Sequence, residues 1–65
     1  MKKIKTKNDY ENYLNDNSPT QGSDDWIIGG VIRMAYMWQN KYGTAIRKYD
    51  FIAFQVGYND WKRNI

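Results

Sequence analysis

The sequence predicts an all-α protein, a small bundle of three to four helices, on three observations. Apolar residues recur at helical spacing in several separate segments. Turn-forming residues fall between those segments, and capping residues stand at their starts. The alternative is an α+β fold with strands around residues 26–38, where Gly29-Gly30 interrupts an apolar run rich in isoleucine. A chain of 65 residues makes a single small domain, of a size that buries only about 60% of its unfolded surface.

Residues 1–7 form a basic N-terminal tail with four lysines. After it, Tyr10, Tyr13 and Leu14 lie at i, i+3, i+4 spacing, which predicts a short helix capped by Asn8 with Asp9 and Glu11 in its first turn. Such a helix is marginal alone and requires docking through those three side chains. Residues 15–23 hold the single proline among turn formers and read as a flexible connector.

Ser23 is a good N-cap, and Asp24 and Asp25 follow it where a helix dipole favours negative charge. The segment from Trp26 to Tyr42 then carries Ile27, Val31, Met34, Ala35, Trp38 and Tyr42 on one helical face. Ile28, Ile32 and Tyr36 lie on an adjacent face, so the segment reads as a central, mostly buried helix stopped by Gly43. Gly29-Gly30 costs about 1 kcal/mol per glycine in a helix interior. Either another helix crosses closely there, or the segment is broken or forms strands.

Thr44 is placed to cap a further helix with a stripe of Ile46, Tyr49, Ile52, Ala53 and Val56, ending at Gly57. Phe51 and Phe54 fall off that stripe, beside Arg47 and Tyr58. Asn59 is a candidate N-cap for a short final helix.

Residues 8–32 carry five acidic side chains and no basic one, whereas residues 33–65 hold six basic and two acidic; the net charge is +3. No apolar stretch follows the basic tail, and the apolar run from Trp26 to Trp38 is short and contains Arg33, so the expectation is a cytoplasmic protein with no membrane association. Neither cysteine nor histidine occurs, which removes disulfides, thiolate and imidazole metal ligands, and nucleophile–base pairs built on them. Adjacent carboxylates at Asp24-Asp25 point apart on a helix, and Gly29-Gly30 is followed by Val31-Ile32 instead of a phosphate-loop Lys-Ser/Thr. The expectation is therefore no enzyme, no cofactor and no metal.

Function then resides in the surface. Phe51, Phe54 and Tyr58, with Arg47 and Trp61, form a candidate protein-binding patch, since aromatic and arginine side chains dominate interface hot spots. The competing reading is that Tyr10, Tyr13 and Leu14 pack over this patch and complete the core. Lys41, Lys48, Asn59, Lys62 and Arg63 are the candidate nucleic-acid contacts, with Arg47 adding charge and Tyr42, Tyr58 and Trp61 as stacking partners. Ile52-Ala53-x-x-Val56-Gly57-Tyr58-x-Asp60 resembles the core of the arabinose-regulator type of helix-turn-helix. That resemblance implies a turn at Gly57 and a following helix that enters the major groove, with Asn59, Lys62 and Arg63 facing base edges or phosphates.

The leading expectation is a small non-catalytic protein that docks on and modulates or inhibits a larger protein, such as a nucleic-acid-handling enzyme. Its Lys, Asn, Ile and Tyr usage is that of an AT-rich bacterial or phage genome. Small phage and mobile-element proteins that block host enzymes share this look, which would place it in a host cytoplasm. The alternatives are a DNA-binding module of helix-turn-helix type in the basic C-terminal half, and a self-associating structural protein forming a homo-oligomer.

Overall fold

The computed structural model describes residues 5–64 and contains four helices and one two-stranded hairpin. They follow in the order α1 (Lys7–Asp16), a single 3-10 turn (Asp24–Trp26), β1 (Ile27–Ile28), β2 (Val31–Ile32), α2 (Met34–Trp38), α3 (Tyr42–Tyr49) and α4 (Phe51–Arg63). The architecture is a small helical bundle carrying a hairpin. Residues 1–4 of the basic tail lie outside the described residues.

Thr6, not Asn8, caps α1. Its hydroxyl accepts from Asp9 N–H at 3.2 Å, and its own N–H donates to Asp9 Oδ2 at 3.0 Å, a reciprocal arrangement that satisfies two otherwise unpaired donors. The stretch after α1 is tied down by its polar groups rather than left free. Ser18 Oγ lies 2.8 Å from the Asn15 carbonyl and 2.9 Å from that of Asn40, and it accepts Tyr42 N–H at 3.3 Å. The Trp26 indole donates to the carbonyls of Pro19 and Thr20 at 3.3 and 3.2 Å.

The long central helix does not form. Gly29 and Gly30 adopt φ of +65° and +85°, the left-handed pair that a two-residue hairpin turn of the mirror-image type demands. Antiparallel pairing sets Ile27 opposite Ile32 and Ile28 opposite Val31. Ser23 consequently heads only the 3-10 turn and makes no side-chain capping bond. Helical structure resumes at Met34 and stops at Trp38, and the chain then turns at Asn40, whose φ is +54°.

The helix expected from Thr44 to Gly57 is two helices. Asp50 breaks it, and the Asp50 carboxylate accepts Ala53 N–H at 3.4 Å to start α4. The break changes the phase of the apolar stripe. Ile52, Ala53 and Val56 face outward, with Ile52 79% exposed, while Phe54 is fully buried. Gly57 is neither a stop nor a turn, because α4 runs unbroken through it to Arg63, and Asn59 caps nothing. Gly57 instead lies where the Tyr10 hydroxyl and ring press on α4.

Two core clusters result. Trp26, Ile28, Met37 and Ala45 form one, and Tyr10, Phe54 and Tyr58 form the other; Ile46 packs against both and joins them. Between α1 and α3 runs a polar seam. Glu11 accepts from the Thr44 hydroxyl at 2.6 Å and from Arg47 at 2.8 Å, and Asn15 exchanges bonds with Thr44 at 3.1 and 3.3 Å. The Thr44 hydroxyl bond, with Arg47 assisting, holds the Glu11 carboxyl below its ordinary value of 4.5 against an opposing effect of burial.

That depression has a sign. A carboxylate whose folded pKa lies below its unfolded one adds stability above the unfolded value and loses it as pH falls through the folded one. Urea unfolding of the wild type is therefore expected to weaken on acidification below about pH 4.5, partly through Glu11. Glu11→Gln should lose roughly 1–2 kcal/mol at neutral pH and show a flatter acid dependence. An unchanged acid slope in that variant would show that the seam does not respond to Glu11.

Candidate functional site

The aromatic residues at the C-terminal end are mostly enclosed by the chain itself. The Tyr10 ring lies 5.1 Å from Phe54, 6.1 Å from Tyr58 and 5.3 Å from Trp61. Tyr58 is 8% exposed and donates its hydroxyl to the Lys5 carbonyl at 3.0 Å. Phe54 and Tyr58 are thus core, and the expected open patch is corrected to a closed one. Arg47 sits over the Phe54 ring at 5.4 Å with its Nη1 on Glu11 and Asn8. Trp61 is half-buried between Tyr10 and Tyr13 with Lys5 over its face. Phe51, 47% exposed beneath the Lys7 ammonium, has the most open ring among these five residues expected to meet a partner.

The candidate nucleic-acid residues separate into two groups. Asn59, Lys62 and Arg63 share the end of α4, where Asn59 accepts from Gln55, Lys62 lies over Tyr58 and Arg63 stands 3.9 Å from Asp60. Lys41 precedes α3 and Lys48 lies in its last turn, beside Tyr49. Because α4 is continuous, the turn that the helix-turn-helix resemblance implies is absent, and no separate reading helix follows Gly57.

The accessible apolar surface lies at the other end of the molecule. In a hairpin, successive side chains alternate between faces. Ile28 points inward against Trp26, Met37 and Ala45. Ile27 and its cross-strand partner Ile32 occupy the opposite, exposed face, and Val31 is exposed as well. Met37 is buried through its contact with the preceding loop, where Gly22 N–H points at its sulfur (3.1 Å) and Gln21 donates to its carbonyl (3.1 Å). Met34 and Trp38, one turn apart on α2, are left outward, and Trp38 is 63% exposed.

Ile27, Val31, Ile32, Met34 and Trp38 are thus five exposed apolar side chains within one short stretch of chain. Such a concentration of exposed apolar side chains makes this end of the molecule a candidate binding surface. Rigid elements hold it. Arg33 N–H donates to the Trp26 carbonyl at 2.9 Å, and Arg33 Nε donates back to the Ile28 carbonyl at 2.9 Å. Its guanidinium then stacks 3.6 Å from the Tyr49 ring centre, fastening the hairpin to α3. The hairpin contains two strands only, so each has an outer edge unpaired within the sheet. Such edges accept further strands. Asp24 and Asp25, both exposed, border the hairpin.

A second apolar stripe, Ile52 and Val56, lies on the outward side of α4. It offers two aliphatic side chains and no tryptophan, so the hairpin end is the stronger binding surface by composition. The central-helix expectation hides it, whereas the alternative of strands around residues 26–38 holds at Ile27–Ile28 and Val31–Ile32. The signal was nonetheless present: two glycines flanked by isoleucine and valine pairs are a hairpin signature.

Among the described residues, no helix is long and apolar enough to cross a membrane, and no group of three or more carboxylates is arranged to hold a metal ion. No protein-family model matches the chain, and no curated protein or solved structure is significantly similar to it.

Proposed function

We propose that this is a small non-catalytic docking protein that binds a larger protein in the cytoplasm through its hairpin end and thereby modulates or inhibits it. The observation that carries the reading is the exposure of Trp38, with Ile27, Val31, Ile32 and Met34 exposed in the same short stretch of chain. A tryptophan buried on association is the kind of side chain that dominates binding energy, each such anchor contributing about 2 kcal/mol or more. Covering Ile27, Val31, Ile32 or Met34 as well adds to it. The compositional likeness to small phage proteins supports a host protein as the target.

Affinity capture from the source cell, with nuclease present, tests this. The wild type is expected to retain a protein partner, and Trp38→Ser to lose it by a factor of about 30 or more in affinity. Far-ultraviolet circular dichroism should be unchanged in the variant, because the side chain lies outside both core clusters. A partner retained equally by Trp38→Ser and lost by Phe51→Ser would transfer the site to α4. Nuclease-sensitive recovery would instead indicate a nucleic-acid bridge.

A further inference from the structure

The two edges of the hairpin are unlike. In an antiparallel pair, residues alternate between those that exchange backbone bonds with the facing strand and those whose N–H and C=O point away from it. Arg33 N–H donates to the Trp26 carbonyl at 2.9 Å, so Trp26–Arg33 and, two positions on, Ile28–Val31 are the bonded pairs. Ile27 and Ile32, paired between them, turn their polar backbone groups outward. On β1 the outward donor is taken, because Ile27 N–H donates to the Asp24 carbonyl, and α3 packs beside that strand. On β2, neither Ile32 N–H nor Ile32 C=O has a hydrogen-bond partner among the described residues, and Val31 and Ile32 are both exposed.

The charge beside this open edge is negative. The 3-10 turn that carries Asp24 and Asp25 lies against β2. Both residues are exposed, and among the described residues the ion pairs are Arg47 with Glu11 and Arg63 with Asp60, so neither carboxylate is neutralised. Arg33 is the one basic residue between positions 24 and 34. Its Nε is committed to the Ile28 carbonyl and its guanidinium to the Tyr49 ring.

We propose that β2 accepts an extended, basic segment of the partner protein as a third strand, with a β-branched aliphatic residue opposite Ile32 and lysine or arginine flanking it. This rests on the reading of the hairpin end as the docking surface, and it names what that end takes. One residue of an added antiparallel strand exchanges both of its backbone bonds with Ile32. Its side chain then falls on the face of Ile27 and Ile32, which makes an apolar row across three strands. A third strand also strengthens a pair too short to be stable by itself. The flanking cations meet Asp24 and Asp25. A second copy of the chain would instead bring its own Asp24-Asp25 pair to the joined sheet, and like charge opposes that pairing.

Two-dimensional NMR titration of the purified chain tests this with three probes: acetyl-Lys-Thr-Val-Thr-Lys-amide, the same peptide N-methylated at its valine, and the same peptide with glutamate for both lysines. A lysine at each end brings one towards the acidic turn in either chain direction. The expected result is a saturable shift centred on the Ile32 amide, with slowed exchange at that N–H. N-methylation removes the donor to the Ile32 carbonyl and should weaken binding about tenfold or more, and the glutamate peptide should bind more weakly as well. Ile32→Pro removes the free donor at an edge position where proline is tolerated, so it should keep the far-ultraviolet circular dichroism and lose the peptide. If that variant loses structure, the N-methylated peptide on the wild type decides. Equal binding of the N-methylated peptide, shifts centred on residues 51–62, no saturable binding, or concentration-dependent protection of Ile32 without peptide (a second copy on the edge) would overturn the proposal. Capture separates it from the docking reading. A partner lost by Trp38→Ser but kept by Ile32→Pro overturns strand addition alone, and a partner kept by both overturns docking at the hairpin end as well.

Discussion

Trp26→Ala is expected to destabilise the protein by about 3–5 kcal/mol. A domain of this length has roughly 3–10 kcal/mol of total stability at the usual margin per residue, so one side chain decides whether the chain folds. Trp26 is completely buried and forms one cluster with Ile28, Met37 and Ala45. Its ring meets Tyr42 edge-on at 5.3 Å. Its indole N–H also holds the connector, through the Pro19 and Thr20 carbonyls. The variant loses apolar burial, leaves a cavity and frees two carbonyls that the loop presents to the core. Thermal unfolding followed by circular dichroism should show the midpoint lowered by roughly 20 °C or the transition lost. A shift of only a few degrees would mean that this cluster does not organise the fold.

Gly43→Ala is the second large effect, and it acts by overfilling. A Cβ at position 43 would collide with the Glu11 backbone carbonyl, and it would lie 2.9 Å from Leu14 Cβ and 3.1 Å from Asn15 Oδ1. Backbone cannot step aside as a side-chain tip can, so α1 and α3 must separate. Separation lengthens the bonds of Glu11 and Asn15 to Thr44, together with the Arg47 ion pair. The cost is about 1–3 kcal/mol, little relieved by helix propensity because Gly43 lies in the first turn of α3. Gly57→Ala is the control. Its Cβ meets the Tyr10 hydroxyl and ring, groups at the end of a side chain, and a mid-helix alanine returns about 1 kcal/mol. Urea unfolding of both variants should therefore rank Gly43→Ala as the more damaging. The reverse order would mean that α1 does not dock on α3 at this glycine.

The helical class and the need for α1 to dock could be read from the sequence because the pattern Tyr10, Tyr13, Leu14 is local and helix-periodic. Its docking place is one of two readings left open, since periodicity gives a face without saying what covers it, and Tyr10 and Leu14 do pack on Phe54 and Tyr58. From Ile46 to Val56 the spacing reads equally well as one helix or as two whose phases differ. The deciding residue is Asp50, whose carboxylate starts α4 and turns Phe54 inward and Ile52 outward. From Trp26 to Trp38 two periods coexist. The isoleucine and valine pairs fit a helix face as well as a hairpin; the paired glycines favour the hairpin, and their positive φ is that of its turn. Both errors moved the candidate site in the same direction. They placed aromatic core residues on the surface and surface apolar residues in the core.

The partner is expected at the hairpin end, not at the aromatic C-terminal helix. Amide hydrogen exchange of the chain alone and in complex with its captured partner tests it most directly. Slowed exchange is expected across residues 27–38, with residues 5–14 and 51–62 unchanged. Slowed exchange centred on residues 51–62, with the hairpin unaffected, would contradict it.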